Sequence, residues 1–333
     1  MSAAAKASTI NTIQAVNMAL DDAMAANPDV IMLGEDVGDK EGGGVVGVTK
    51  GLSTKYGDAR VLSTPISEQA IVGAAIGAAI AGLRPVAEIM LMNFTTVAMD
   101  MIVNHAAKLR FMSGGQTSVP LTIRTMTGTG VGNGGQHSDY LEAWFAHTAG
   151  IKVVAPSTPS DAYGLLLSCI EDDDPCIFIE NMPTFWAPGP SPVRGARIPL
   201  GVAHVVRPGL DVTVVSYSRS VGDCLAAAAK LAEEGIQAEV IDLRTVAPFD
   251  EQTILESVQK TGRAVIVHEA LRNFGVGAEI ASRIHERLHK RLKTAVARVG
   301  APYCPVPFAK PLEAAFRPSQ EKVEDAIRMV LRD

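Results

Sequence analysis

Apolar positions along the chain alternate between two rhythms. In residues 12–26, Ile13, Val16, Leu20 and Met24 fall three or four apart, the spacing of one buried helix face. VIML at 30–33 is a short apolar run closed by Gly34, Glu35 and Asp36, which predicts a buried strand. Residues 70–83 predict an apolar helix, VAEIML after Arg84-Pro85 a strand, residues 93–111 a helix and LTIRTM at 121–126 a strand. IKVVA at 151–155 and CIFIE after Pro175 predict strands on either side of a helix at 163–171. Residues 183–199 carry five prolines and little periodicity. The rhythm then restarts with strands VTVVSYS, AEVIDL and AVIVHEA between helices at 222–234, 249–260 and 277–290. Strands separated by helices predict parallel sheets covered on both faces. The expected fold is α/β: two doubly wound domains at 1–185 and 205–333, with a linker at 186–204.

Composition narrows the class. Hydrophobic residues make 47% of the 333 and charged residues 20%, too apolar for a disordered chain. Thirty glycines and 19 prolines suit tight turns. A net charge of -6 without a Lys/Arg block argues against a nucleic-acid partner. Cys169, Cys176, Cys224 and Cys304 show no zinc-type or disulfide spacing, which predicts reduced thiols and a cytoplasmic setting. The longest apolar stretch, at 70–83, falls short of the ~20 residues a membrane helix needs. The opening MSAAAKASTINTIQ has no apolar secretory core, and the first arginine is Arg60, so no leader is expected.

Candidate chemistry gathers at three places. Gly130, Gly132 and Gly135 match G-x-G-x-x-G after a strand, but the next strand ends in Pro156, where a dinucleotide site wants an acid. Glycines at 42–51 predict a mobile loop. Glu68 is a lone carboxylate opening a nearly all-apolar helix. It reads equally as a helix-start carboxylate on free N–H groups or as an acid tuned at the edge of a dry core. In the same helix Gly73 and Gly77 allow close backbone packing, within the chain or at a subunit contact. His137 follows a glycine-dense loop, where active-site groups commonly sit, though a surface turn histidine fits the same pattern. His285 and His289 stand four apart on a basic helix and read as a solvated face.

Several segments in order then resemble one family. They are LGEDV, STPISEQAIVGAAIGAAIAGLRPVAEI, NHAAKLRFMSGG, QHSDY, GIKVVAPSTPSDAYGLLLSCIEDDDPCIF and VIDLRTVAPFD. They resemble the β subunit of the thiamine-diphosphate-dependent decarboxylating component of 2-oxo acid dehydrogenase complexes, which includes pyruvate, branched-chain and acetoin types. The resemblance implies a transketolase-like pyrimidine-binding domain followed by a transketolase C-terminal domain. It implies that Glu68 hydrogen-bonds a ring nitrogen of the cofactor's aminopyrimidine, with Ile66, Ala70 and Ile71 as an apolar setting. It implies that Phe94 lies against that ring, that His137 stands at the mouth of the site and assists acyl transfer, and that Glu35 lies near the cofactor. Some members hold potassium at positions matching Leu121, Cys169, Ile170, Asp172 and Asp174, with Asp174 replacing the commoner Asn.

The GDG motif that holds magnesium and the diphosphate in this family is missing from the sequence. The resemblance therefore implies a separate α subunit, an assembly of two α and two β chains, and a lipoyl acyltransferase partner. Residues 39–50 are most like acetoin types, whereas LLLSCIEDDDPCIF is closer to the branched-chain type. A two-chain transketolase-like carboligase without a lipoyl partner is the alternative.

Overall fold

A computed structural model describes residues 9–332. Residues 1–8, where no leader is expected, lie outside the described residues. The first sheet has seven strands, in the order Thr245–Ala247, Lys152–Val154, Cys176–Asn181, Thr122–Thr127, Arg84–Leu91, Val30–Gly34, Val61–Ser63. The second has five, in the order Ala297–Ala301, Ala264–Leu271, Val212–Ser216, Ala238–Asp242, His204–Arg207. Pairing is parallel except at one edge of each sheet, where Thr245–Ala247 and His204–Arg207 run antiparallel to their neighbours. The fold is the expected α/β arrangement with two parallel-cored sheets.

Local chemistry starts and stops the helices near where the periodicity places them. Helix Thr12–Ala26 begins with a capping box, in which Asn11 accepts from the Gln14 N–H and Gln14 accepts from the Asn11 N–H. Helix Glu68–Ile80 begins two residues earlier than its apolar run, and packs Ile71, Val72, Ala75, Ile76 and Ala79 into the core. Its Gly77 has open space around it within this chain, so close backbone packing there is not made internally.

Four expectations change. Residues 93–111 are not one helix: a 3-10 turn, Met92–Ala98, leads into a π turn, Met101–Ala106, and then helix Ala107–Met112. The hydroxyls of Thr95 and Thr96 donate back to the carbonyls of Met92 and Asn93, which tightens the first turn. The loop at 42–51 is folded on itself: Asp39 accepts from the N–H groups of Gly51 and Thr54, and Thr49 donates to the Val37 carbonyl. The proline-rich stretch is no free tether. Phe185 is buried, Gly189–Pro190 pairs with Thr9–Ile10, and Ile198 bonds the Gly164 carbonyl. Strand Thr245–Ala247 leaves the second half of the chain to extend the first sheet.

Candidate active site

The parallel strands of the first sheet deliver their carboxyl ends to one edge, and sheets of this type bind ligands outside that edge. Glu35 follows strand Val30–Gly34 and Phe94 follows Arg84–Leu91. The glycine loop to His137 follows Thr122–Thr127, and Glu68 opens the helix after strand Val61–Ser63. That helix packs against the Met92–Ala98 turn.

Phe94 and His137 meet edge to face, ring centroids 5.5 Å apart at 75°. Asn93 fixes this contact. Its side-chain amide donates to the Gly135 carbonyl (3.1 Å) and to Asp139 (2.8 Å), and its side-chain oxygen accepts from the Asp139 N–H (3.2 Å). The two rings border a cleft of about 1830 Å³ between the halves of the chain, also walled by Trp144, Glu269, Phe274 and Tyr303.

Glu35, Ile66 and Glu68 do not wall that cleft. Burial raises the Glu35 carboxyl above its ordinary range, and the charges of Glu68, Asp36 and Glu88 raise it further. The apolar setting expected for Glu68 is only partly present. Ile71 is buried, but Ile66 is 82% exposed and Ala70 is exposed, because Ile66 lies in the irregular segment ahead of the helix. A dry environment for Glu68 is therefore not built by this chain alone.

Behind the edge lies a buried ion triad. Arg124, its side chain 3% exposed, is 2.7 Å from Glu88 and 2.6 Å from Glu180 across three neighbouring strands. Burial raises the Glu180 carboxyl, while Arg124 stays firmly charged because its two carboxylates outweigh its own burial. Nearer the cleft, Tyr217 donates to fully buried Glu142 at 2.5 Å, and burial pushes the Glu142 carboxyl up to about 7. His268 stacks on Tyr217 at 6.2 Å, and burial brings its imidazole down to about 4.

The glycine loop does not cradle a dinucleotide. The N–H groups of Gly130 and Gly132 are taken by Glu313, and the next helix, Glu142–Ala146, is only a short turn. The turn matched to potassium is filled with the chain's own cations. Lys152 lies 2.7 and 2.6 Å from the Asp172 oxygens, and Arg110 lies 2.7 Å from Asp174. Arg84 donates to the carbonyls of Ile170 and Asp172, Cys176 N–H to that of Leu121, and Asp172 N–H to that of Cys169. These oxygens thus already face donors or cations of the chain itself. Among the described residues no group of three or more His, Cys, Asp or Glu could hold a metal.

Sequence reasoning overlooked Asn93, Asp139, Glu269 and Glu313. Glu269 had a signal, an acid inside the otherwise apolar run AVIVHEAL, whereas Glu313 in KPLEAAF had none.

Comparison with known proteins meets this geometry. The transketolase pyrimidine-binding domain family matches residues 8–184, and the transketolase C-terminal domain family matches residues 201–323. The β subunit of acetoin:2,6-dichlorophenolindophenol oxidoreductase from Cupriavidus necator is 46% identical over 96% of each chain. The chain belongs to the family of dehydrogenase E1 β subunits. The human mitochondrial pyruvate dehydrogenase E1 β subunit is 42% identical over 95% of this chain and 89% of its own length. A solved split-gene transketolase, an inactive β4 tetramer, shares the fold at a TM-score of 0.79 and 22% identity, covering 97% of this chain and 98% of its own. As an E1 β subunit, the chain is one component of a thiamine-dependent oxidoreductase complex. No helix among the described residues is long and apolar enough to cross a membrane.

Proposed function

We propose that this chain supplies the pyrimidine half of the active site of a thiamine-diphosphate-dependent dehydrogenase, with a separate α subunit supplying magnesium and the diphosphate half. The observation that carries the reading is the gathering of Glu35, Glu68, Phe94 and His137 at one carboxyl edge of a parallel sheet. The residues fit the aromatic half of the cofactor, with a carboxylate, a ring and, among the described residues, no metal-ligand cluster. Thiamine diphosphate, when bound, would supply a carbon nucleophile and an electron sink for the bond that breaks. Glu68 holds a proton at a pyrimidine ring nitrogen. Phe94 covers the ring and excludes water. His137 orients the acyl group and moves a proton during its transfer to a lipoyl group. Glu35, whose carboxyl is raised by burial and by the nearby charge of Glu68, lies beside Glu68 at this edge.

The partly exposed position of Glu68 and the bare Ile66 support completion of the pocket by another chain. We take the assembly as two α and two β chains, acting with a lipoyl acyltransferase in the cytoplasm, and the domain division as falling within 186–204. The substrate is a 2-oxo acid or acetoin, the two classes named in the relatives. The test reconstitutes the chain with an α subunit carrying a GDG motif. His137→Ala is expected to lower acyl transfer to a lipoyl domain by about tenfold or more, with little change in turnover to an artificial electron acceptor. Equal losses in the two assays count against the role given to His137.

A further inference from the structure

His137 sits on a loop without regular structure, and the far end of the chain helps to hold that loop, beside Asn93 and Glu269. Gly128, Gly130, Gly132 and Gly134 all have positive φ, and this backbone turns the N–H groups of Gly130 and Gly132 to one side. Glu313, only 2% exposed, receives them from helix Lys310–Phe316. It accepts from Gly130 N–H at 2.6 Å, and from Gly132 N–H at 3.1 and 3.3 Å to its two oxygens. Converging backbone N–H groups form an anion-binding concavity, here occupied by a side chain of the same protein. The segment before the helix shapes the rest of the loop. A Cβ on Gly134 would lie 2.7 Å from the Phe308 ring, and one on Gly135 would lie 3.6 Å from Pro305. Glu313 itself is not on the cleft wall, although Phe316 from the same helix is.

We infer that Glu313 is a positioning residue for His137: it folds the 128–137 loop from outside the cleft, so the C-terminal half sets where the histidine stands. A buried carboxylate is costly to leave without donors, so carboxylate and loop hold each other in one conformation. The inference rests on the role proposed for His137, yet the shaping of the loop can be measured without it.

In the assembled enzyme, hydrogen–deuterium exchange over residues 128–140 is compared for wild type, Glu313→Ala and Glu313→Gln. Thiamine diphosphate affinity and the rate of acyl transfer to a lipoyl domain are measured beside it. Glu313→Ala is expected to speed exchange of these amides about tenfold and to lower the acyl-transfer kcat about tenfold, with cofactor affinity within about twofold. Glu313→Gln keeps an oxygen acceptor and is expected to restore most of both. Unchanged loop exchange in Glu313→Ala overturns the inference. So does faster loop exchange with acyl transfer intact, or the same acceleration throughout the chain in both variants. A wild-type enzyme without thiamine-dependent turnover would refute the functional reading instead. Exchange in the two variants would then decide alone whether Glu313 shapes the loop.

Discussion

At the scale of single residues, burial decides the behaviour of the titratable groups around the cleft. Glu142 is fully buried with Tyr217 as its donor, and its carboxyl is pushed up to about 7. The folded chain thus holds this proton more tightly than the unfolded chain. Stability is fully expressed below the ordinary carboxylate range and is lost as pH rises toward 7. Glu142→Gln mimics the protonated form. It is expected to match wild type near pH 5 and to gain on it by about 3 kcal/mol above pH 8. Denaturant unfolding at the two pH values checks this, and a gap that does not widen with pH contradicts it. His268 works in the opposite direction, since burial brings it down to about 4 and acid removes its contribution. Neither group was legible in the sequence. The hydroxyl that holds Glu142, from Tyr217, lies 75 positions away.

At the scale of elements, the apolar strands and long helices were readable because burial on both faces leaves continuous hydrophobic runs. The short edge strands Val61–Ser63, His204–Arg207 and Thr245–Ala247 were not, because three or four residues carry no sustained apolar run. Arg124 shows the same limit. LTIRTM reads as a strand, but only the sheet reveals that its arginine is clamped between Glu88 and Glu180 on the flanking strands. Arg124→Met leaves two buried carboxylates facing each other without a counter-charge. It is expected to cost about 3–5 kcal/mol, measured as a lowered urea midpoint. Replacing all three residues by apolar ones of similar size should recover much of that loss. The glycine loop was visible as a loop, and its resemblance pointed to His137. The loop's packing on Phe308 and Glu313 was not visible, because Glu313 lies 183 positions from Gly130.

At the scale of the whole molecule, two motifs noted in the sequence turn out to be joined. Ser157 and Asp161 of APSTPSD meet Asp242 and Arg244 of VIDLRTVAPFD: Arg244 pairs with Asp161 at 2.7 Å, and Ser157 donates to Asp242. The adjoining strand Thr245–Ala247 adds to the first sheet. The halves therefore share a sheet as well as a cleft. Calorimetry is expected to show one unfolding transition for wild type, and Arg244→Ala is expected to lower or split it. An unchanged single transition in that variant would remove Arg244 from the joint. The resemblance covers nearly the whole chain, yet Glu68 remains half open to solvent in the isolated β chain. Its covering by a partner chain belongs to the function proposed above. The most direct measurement is thiamine-diphosphate-dependent turnover of the chain reconstituted with its α subunit, wild type beside Glu68→Gln. The account predicts that Glu68→Gln loses at least about a hundredfold in rate while the assembly stays intact. A Glu68→Gln enzyme working within about threefold of wild type would contradict it.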